Sequence, residues 1–193
     1  MLAIIVNRTH KMEIGRRKMK VHKSLYELFG RETTSLDLLL ILFGSITLTI
    51  AAQILCLGIE LPLTKKVLLA FLTLDIGGGI IANFTDGTNN YYAESVKRRY
   101  LFIAIHILQP LILSWIFPND FYSIFSLAIY ALASSFIITS IKKTGNQKTI
   151  AATMLLIGVV LIFLFNFSSQ ALQLILLIYS VKLILAFSVN WTN

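Results

Sequence analysis

Six long apolar runs dominate the sequence and leave few ways for the chain to fold. Each is 18 to 24 residues long, and a helix of about 20 apolar residues crosses the hydrocarbon core of a bilayer. Because lipid offers no partner to backbone polar groups, continuous runs of this length are helical. We therefore expect an all-α, polytopic transmembrane helical bundle of about six spans. The predicted spans are residues 36–59, 67–84, 100–117, 121–141, 150–167 and 171–189.

The composition agrees with a membrane location. Of the 193 residues 56% are hydrophobic and 13% are charged, and the mean hydropathy is +0.78. A soluble domain of this size exposes too much surface to be covered by so few charges. A disordered or nucleic-acid-binding chain would not hold so many Leu, Ile and Phe residues, so no nucleic acid partner is expected. The single cysteine, Cys56, provides neither a disulfide nor a metal site, and no cofactor is indicated.

Basic residues mark one side of the predicted membrane domain. Fourteen of the seventeen Lys and Arg residues lie in residues 1–35, 85–99 and 142–149, whereas the intervening loops hold only Lys65 and Lys66. Cytoplasmic loops are enriched in Lys and Arg, so both termini, including the tail at 190–193, are expected in the cytoplasm and the protein in the plasma membrane. No cleavable signal peptide is evident, and the first span is expected to direct insertion.

The segment that precedes the first span, residues 1–35, is strongly basic. Within it, residues 15–29 place Leu25, Leu28 and Phe29 opposite a basic face. This pattern predicts either an interfacial helix on the membrane surface or ordinary positively charged flanking sequence. The bilayer is the expected partner, with anionic lipids at this segment. Assembly with further copies of the chain or with another subunit stays open.

Three ionisable side chains lie well inside the predicted spans: Asp75, His106 and Lys182. At about 1.5 Å per residue they lie about 13, 9 and 10 Å from the expected cytoplasmic ends of their spans, so a cluster joining the second, third and sixth spans is allowed. A charge at such depth costs about 2.5 to 3.5 kcal/mol and is kept for a partner or a function. We expect Asp75 to be the titratable centre, paired with His106 or with Lys182.

Each of these three residues also has a structural interpretation. Lys182 can extend its stem to the cytoplasmic interface. His106 can be neutral and hydrogen-bonded to a backbone carbonyl or to Asn83. Asp75 can be a salt-bridged carboxylate that only stabilises helix packing.

The neighbours of Asp75 extend the candidate polar site along the second span. Asp75, Gly79 and Asn83 are four residues apart and share one helix face. The triplet Gly77, Gly78 and Gly79 permits close approach of another helix, or a break in its own. This face leads from mid-membrane to a polar cytoplasmic loop.

The third span has a matching feature. Gln109 and Pro110 follow His106 on the same side of the helix. Proline kinks the helix and frees the carbonyl of His106, which Gln109, a neighbour or water can then meet. A kinked helix beside a glycine-rich one can enclose a polar cavity, although the same pairing also occurs in inert bundles.

This stretch of sequence resembles the central signature of a group of uncharacterised bacterial multi-pass membrane proteins. The matching residues are Asp75-x-x-Gly78-Gly79-x-x-x-Asn83-x-Thr85, Tyr91-Tyr92, Phe102 and His106-x-x-x-Pro110. The resemblance covers residues 75–110. It implies that these residues belong together, and it implies no activity.

Three classes of function are compatible with these patterns. The leading hypothesis is an integral membrane protein that binds or transports a small solute or a proton at Asp75. The first alternative is a membrane-embedded enzyme that acts on a lipid or isoprenoid near the cytoplasmic interface, with Asp75, Asn83 and Asp86 holding a divalent cation. The second alternative is a non-catalytic membrane subunit whose basic segment contacts lipid or another protein.

Overall fold

The computed structural model describes residues 18–142 and 144–191. Six of its helical stretches are long and apolar enough to cross a membrane, which confirms the multi-pass helical fold and the approximate positions of the predicted spans. These stretches are Ser35–Leu55, Leu63–Phe84, Val96–Ile116, Pro118–Ser140, Gly145–Leu164 and Gln170–Phe187.

The first, second and fifth spans are single helices, and the third, fourth and sixth are composite. In chain order the elements are β1 (Lys18–Lys20), a 3₁₀ turn (Lys23–Leu25), α1 (Tyr26–Phe29), β2 (Glu32–Thr34), α2 (Ser35–Leu55), α3 (Leu63–Phe84), α4 (Asp86–Ala93), α5 (Val96–Ile105), α6 (Leu108–Ile116), a second 3₁₀ turn (Pro118–Asp120), α7 (Phe121–Ser140), α8 (Thr144–Leu164), α9 (Gln170–Ser180) and a π-helical segment (Val181–Phe187).

The third span is interrupted at His106 and Ile107, between α5 and α6. Pro110 has no N–H to donate to the carbonyl of His106, as its position predicts. That carbonyl instead accepts from the backbone N–H of Gln109 at 3.3 Å and from the hydroxyl of Tyr179 at 3.2 Å. The break is therefore supported by a donor from α9.

The sixth span lies at the centre of the bundle. Of its residues 61% are buried, against 17% for the first span. Leu172, Ile175 and Leu176 of α9 belong to the same core cluster as Leu72 and Ile76 of α3. Most of the sixth span, including Lys182, is consequently enclosed by other helices.

Two glycines of α3 set its close packing against α2. A Cβ on Gly77 would lie 2.6 Å from the carbonyl oxygen of Gly44, and a Cβ on Gly78 would collide with the hydroxyl of Ser45. Small residues at such crossings let the two backbones approach. Since α3 is continuous from Leu63 to Phe84, these glycines serve packing, and the helix break that the triplet also allowed is not observed.

The N-terminal segment docks on α4, which connects the second and third spans. The hydroxyl of Tyr92 donates to the carbonyl of Glu27 at 3.2 Å, and the hydroxyl of Thr88 donates to the carbonyl of Leu28 at 3.1 Å. Where the chain turns at Gly30, with φ of 71°, a Cβ would collide with the backbone of α4. Glycine is thus needed there for both the turn and the contact.

A single interfacial helix over residues 15–29 is not present from Lys18 onward, which corrects that expectation for the described residues. Lys18–Lys20 forms strand β1, which pairs antiparallel with Glu32–Thr34. Helical geometry is confined to Lys23–Leu25 and Tyr26–Phe29. The strand pairing satisfies backbone groups that the helix would have satisfied internally. Residues 1–17 lie outside the described part of the chain.

The C-terminal end of the described chain lies beside this same group of segments. The backbone N–H of Asn190 donates to Gln147 at 2.9 Å, and that of Trp191 donates to Asn89 at 3.3 Å. The segments that the charge pattern assigns to one side of the membrane therefore contact one another.

The third and fifth loops are joined to each other. Asp120 is 5% exposed and accepts from the backbone N–H of Ser168 at 3.0 Å and from its hydroxyl. These are the two loops that contain no Lys or Arg. The contact agrees with their assignment to one common side.

Candidate functional site

Asp75 of α3 and Lys182 of the π-helical segment form an ion pair inside the bundle. The ammonium Nζ lies 2.9 Å from Oδ2 of Asp75 and also donates to the backbone carbonyl of Asp75 at 3.3 Å. Lys182 is 1% exposed, so its side chain does not extend to the interface. Of the two bases expected beside Asp75, the structure pairs it with Lys182.

Gly79 provides the space in which the lysine side chain lies. A Cβ at this position would be 2.5 Å from Cε and 2.8 Å from Nζ of Lys182. Even the smallest side chain would therefore have to displace the ammonium from the carboxylate. The glycine triplet is divided in its roles, since Gly77 and Gly78 face α2 whereas Gly79 faces the lysine.

Gln109 of α6 is the second donor to the carboxylate. Its Nε2 donates to the same Oδ2 of Asp75 that Lys182 contacts. Among the described residues no donor contacts Oδ1, and the side chain of Asp75 is 49% exposed. One carboxylate oxygen is thus held by two protein donors, and the other is left accessible.

His106 lies beside the pair and hydrogen-bonds to a backbone carbonyl, one of the two contacts expected for a neutral ring. Its Nδ1 is 2.6 Å from the carbonyl oxygen of Phe102. Because a carbonyl only accepts, Nδ1 is assigned the hydrogen, and Nε2 of the neutral ring is an acceptor. The rings of Phe102 and His106 also pack with centroids 4.1 Å apart.

These side chains line a cavity of about 240 Å³ between α3, the broken third span and the sixth span. Asp75, Gly79 and Asn83 all line it, as their shared helix face predicts. His106, Gln109 and Lys182 line it as well. The polar residues predicted from three different spans are consequently brought together around one space.

The cavity is lined by exposed residues both at one end and at the side. At the end of the bundle it is lined by Glu27 and Leu28 of α1. At the side it is lined by Ile105 and Leu108, which are 55% and 51% exposed. Phe71, one turn before Asp75, is 66% exposed. The cavity therefore reaches the outer surface of the spans beside Asp75.

Arg99 is a buried cation that was not singled out from the sequence. It follows two other basic residues, and the sequence pattern therefore assigns it to a charged loop. It is 8% exposed and donates to the carbonyls of Phe187 at 2.9 Å and Ser188 at 2.8 Å. Carbonyl groups at a helix C-terminus stabilise positive charge. Ser95, which caps the start of α5 through its hydroxyl, was the available signal that the helix includes Arg99.

In the main cavity, Oε1 of Gln109 lacks a partner among the described residues. Two further buried atoms lack partners among these residues as well, Nδ2 of Asn83 and Nε of Arg99. Both residues line a second cavity of about 10 Å³. A space of this size is at the lower limit for one water molecule. One water there would satisfy the two donors and connect the main cavity to the end of the sixth span.

Asp86 does not belong to the main cavity. It begins α4 and is exposed, whereas Asp75 and Asn83, the other members of the predicted cation site, line the cavity. In the part of the chain that the structure describes, no group of three or more His, Cys, Asp and Glu residues is placed to hold a metal ion.

No family model matches this chain, and comparisons with curated proteins and with solved structures find no match either. The resemblance over residues 75–110 therefore stays a prediction. Function is to be argued from the chemistry of the cavity, because a fold alone does not define an activity.

Proposed function

We propose that this multi-pass membrane protein binds and transports a small solute or a proton, which Asp75 accepts from the cavity. One observation carries the proposal: the buried Lys182 neutralises a carboxylate that is half exposed to a cavity of about 240 Å³ within the spans. Charged groups at this depth are costly and mark substrate or proton pathways when they line a cavity.

Exchange of the partner of Asp75 is the step that this geometry supports. Lys182 neutralises the carboxylate when the cavity holds no other cation. A proton or cation that reaches Asp75 neutralises the carboxylate in place of Lys182. The attraction between Asp75 and the ammonium of Lys182 is then weaker. Because Asp75 is on α3 and Lys182 is on the sixth span, binding is thereby linked to the contact between these two spans.

The two alternatives have less support. A lipid-directed enzyme with a cation site needs Asp86 close to Asp75 and Asn83, and Asp86 lies outside the cavity. A purely structural subunit has no need of an accessible carboxylate within the spans, where an unused charge costs about 2.5 to 3.5 kcal/mol.

We also propose that both termini are cytoplasmic, that the membrane is the plasma membrane, and that the N-terminal segment contacts anionic lipids. The positions of the Lys and Arg residues support this orientation. Lys18 and Arg31 in the N-terminal hairpin have side chains that are 64% and 60% exposed. They are available to lipid head groups at that end.

Cysteine labelling tests the orientation. In a Cys56→Ala background, Glu94→Cys is expected to react with a membrane-impermeant maleimide only after cells are opened, and Asn119→Cys in intact cells. Both positions are accessible, since Glu94 has a 42% exposed side chain and Asn119 is exposed. The reverse labelling pattern would show that the proposed orientation is wrong.

Proton uptake into proteoliposomes tests the function. Vesicles that contain a pH-sensitive dye are exposed to an acidic exterior, with potassium and valinomycin to balance charge. The wild-type protein is expected to accelerate acidification, and Asp75→Asn to reduce the rate to that of protein-free vesicles. Asp86→Asn, a matched change outside the cavity, should retain the wild-type rate. Equal rates for folded wild type and Asp75→Asn would contradict the proposal.

A further inference from the structure

We infer that the ligand of the cavity is an amphiphilic amine, whose protonated head group donates an N–H to Oδ1 of Asp75 while its apolar tail stays in the bilayer. The inference rests on the proposed function and specifies the class of solute. It follows from three properties of the cavity: which hydrogen-bonding groups are still available, which charges line it, and where it opens.

Several acceptors at the centre of the cavity have no donor among the described residues, including Oε1 of Gln109. The two donors closest to Asp75, on Lys182 and Gln109, are both engaged by its Oδ2. Within the described residues, Oδ1 has no donor. The hydrogen bond from Nδ1 of His106 to Phe102 leaves Nε2 as a further acceptor in the neutral ring. A ligand that contacts Asp75 or Nε2 of His106 therefore donates hydrogen bonds to them, while Nδ2 of Asn83, elsewhere in the lining, is a donor without a partner in the described part of the chain.

The charges that line the cavity favour a cation. Two carboxylates, on Asp75 and Glu27, stand against the single ammonium of Lys182. A cationic head group balances these charges, whereas an anionic one would add a second uncompensated negative charge in a region of low dielectric constant. Protonated amines combine positive charge with N–H donors, and quaternary ammonium groups have the charge alone.

The size and the opening of the cavity call for an apolar tail. At about 240 Å³ it is smaller than the roughly 300 to 1,000 Å³ of pockets that enclose a drug-sized ligand. It is large enough for a head group. The exposed side chains of Ile105 and Leu108 border the lateral opening, and Glu27 and Leu28 of α1 line the end of the cavity. A ligand whose head enters from the side leaves its tail among lipid chains.

Binding of matched probes to the full-length protein in nanodiscs of neutral lipid tests the inference. The probes share a twelve-carbon chain and differ in the head group: dodecylamine, dodecanol, dodecyltrimethylammonium and dodecanoate. Empty nanodiscs measure simple partitioning. Saturable binding of dodecylamine is expected, at least about tenfold tighter than that of each other probe, a difference of 1.4 kcal/mol. Methylamine, which has the head group without the tail, should bind at least about tenfold more weakly than dodecylamine.

Two variants examine the two ends of the ligand. Asp75→Asn should abolish saturable dodecylamine binding. Leu108→Trp, at an exposed position in the lining of the cavity, should weaken saturable dodecylamine binding. This second variant keeps the inference testable if Asp75→Asn does not fold. Asp86→Asn, outside the cavity, should bind dodecylamine like the wild type.

Equal binding of dodecylamine and the quaternary or carboxylate probe would overturn the inference, and so would binding that neither variant affects. Disulfide cross-linking of Leu108→Cys between two copies in the membrane would also overturn it, because a second copy would then cover the opening. If dodecylamine fails to bind while proton uptake still depends on Asp75, the ligand class alone is wrong. If both fail, the proposed function is wrong as well.

Discussion

The ammonium of Lys182 lies 2.9 Å from Oδ2 of Asp75, across the boundary between the sixth span and α3. The two residues are 107 positions apart in the chain, and Gly79 provides the space for their contact. The pair is enclosed on the side of the lysine and accessible on the side of the aspartate. This asymmetry connects the stability of the bundle to the occupancy of the cavity.

Removing one member of the pair should cost more stability than removing both. Asp75→Asn leaves the fully buried Lys182 without its partner, and breaking a buried pair in this way costs about 3 to 5 kcal/mol. The double variant Asp75→Asn with Lys182→Met should recover at least about 1 kcal/mol of this loss, because no lone charge remains. Unfolding in a detergent titration measures the free energies.

Lys66→Met is the matched control for this cycle, because Lys66 is exposed in the first turn of α3. Its substitution should change the free energy of unfolding by less than about 0.5 kcal/mol. If the losses of the two single variants simply add in the double variant, the pair does not contribute as a unit.

Gly79→Ala is expected to separate Lys182 from Asp75. The new Cβ would lie 2.5 Å from Cε of the lysine, and overpacking of this kind costs about 1 to 3 kcal/mol. Proton uptake that depends on Asp75 should fall together with the stability. Gly58→Ala is the control, since a Cβ there meets nothing within 4 Å. Wild-type melting temperature and uptake in Gly79→Ala would show that the glycine has no such role.

Gly87→Ala is expected to release the N-terminal hairpin from α4. A Cβ on Gly87 would collide with the carbonyl of Glu32 and lie 2.7 Å from that of Phe29. Trypsin should then cleave the hairpin faster in detergent solution. Glu94→Gln removes the ion pairs of Glu94 with Arg31 and with Arg98, whose side chains are 60% and 30% exposed, and such pairs contribute less than about 1 kcal/mol each. Faster cleavage in Glu94→Gln than in Gly87→Ala would show that the ion pairs of Glu94 hold the hairpin on α4 more strongly than the close contact at Gly87 does.

Alkaline pH should weaken the same docking through Tyr92. Burial raises the pKa of the Tyr92 phenol above its ordinary value of 10.0, and the nearby carboxylate of Glu27 adds to the effect. The neutral phenol is thus favoured in the folded state, so its contribution is fully present below about pH 10 and is lost as the pH rises above that value.

Tyr92→Phe isolates this contribution. At neutral pH the variant should lose about 0.5 to 1.5 kcal/mol with the hydrogen bond to Glu27. Between about pH 9 and 11 its melting temperature should then fall less than that of the wild type. A parallel fall in both proteins would mean that other groups cause the alkaline loss.

Much of the membrane domain was predictable, because each apolar run carries its own signal of length and hydropathy. The third span shows where this signal stops. Its helix begins at Val96, four residues before the apolar run, since Ser95 caps it and the basic residues that follow are helical. A prediction from hydropathy ends the span at charged residues, even where the helix continues through them.

The candidate site was predictable in depth but not in pairing. The rise per residue of a helix places Asp75, His106 and Lys182 at similar depths. It does not tell how each of the three helices is rotated about its axis, and this rotation decides which side chains face one another. Gly79, one turn after Asp75, was the available signal for a large neighbour on that face. The part of the lining that Glu27 and Leu28 contribute depends on contacts between distant segments, which no local sequence pattern predicts.

The π-helical segment sets the angle between two contacts that belong to different neighbours. Near its start Lys182 reaches α3, and at its end the carbonyls of Phe187 and Ser188 receive Arg99 of α5. The backbone N–H of Ser188 bonds to Leu183, five residues earlier, at 3.2 Å. Each residue of an α-helix turns the chain by about 100°. Deleting one residue between the two contacts would therefore rotate one contact relative to the other about the helix axis. Lys182 would then face away from Asp75 whenever Arg99 remained bound to the carbonyls of Phe187 and Ser188.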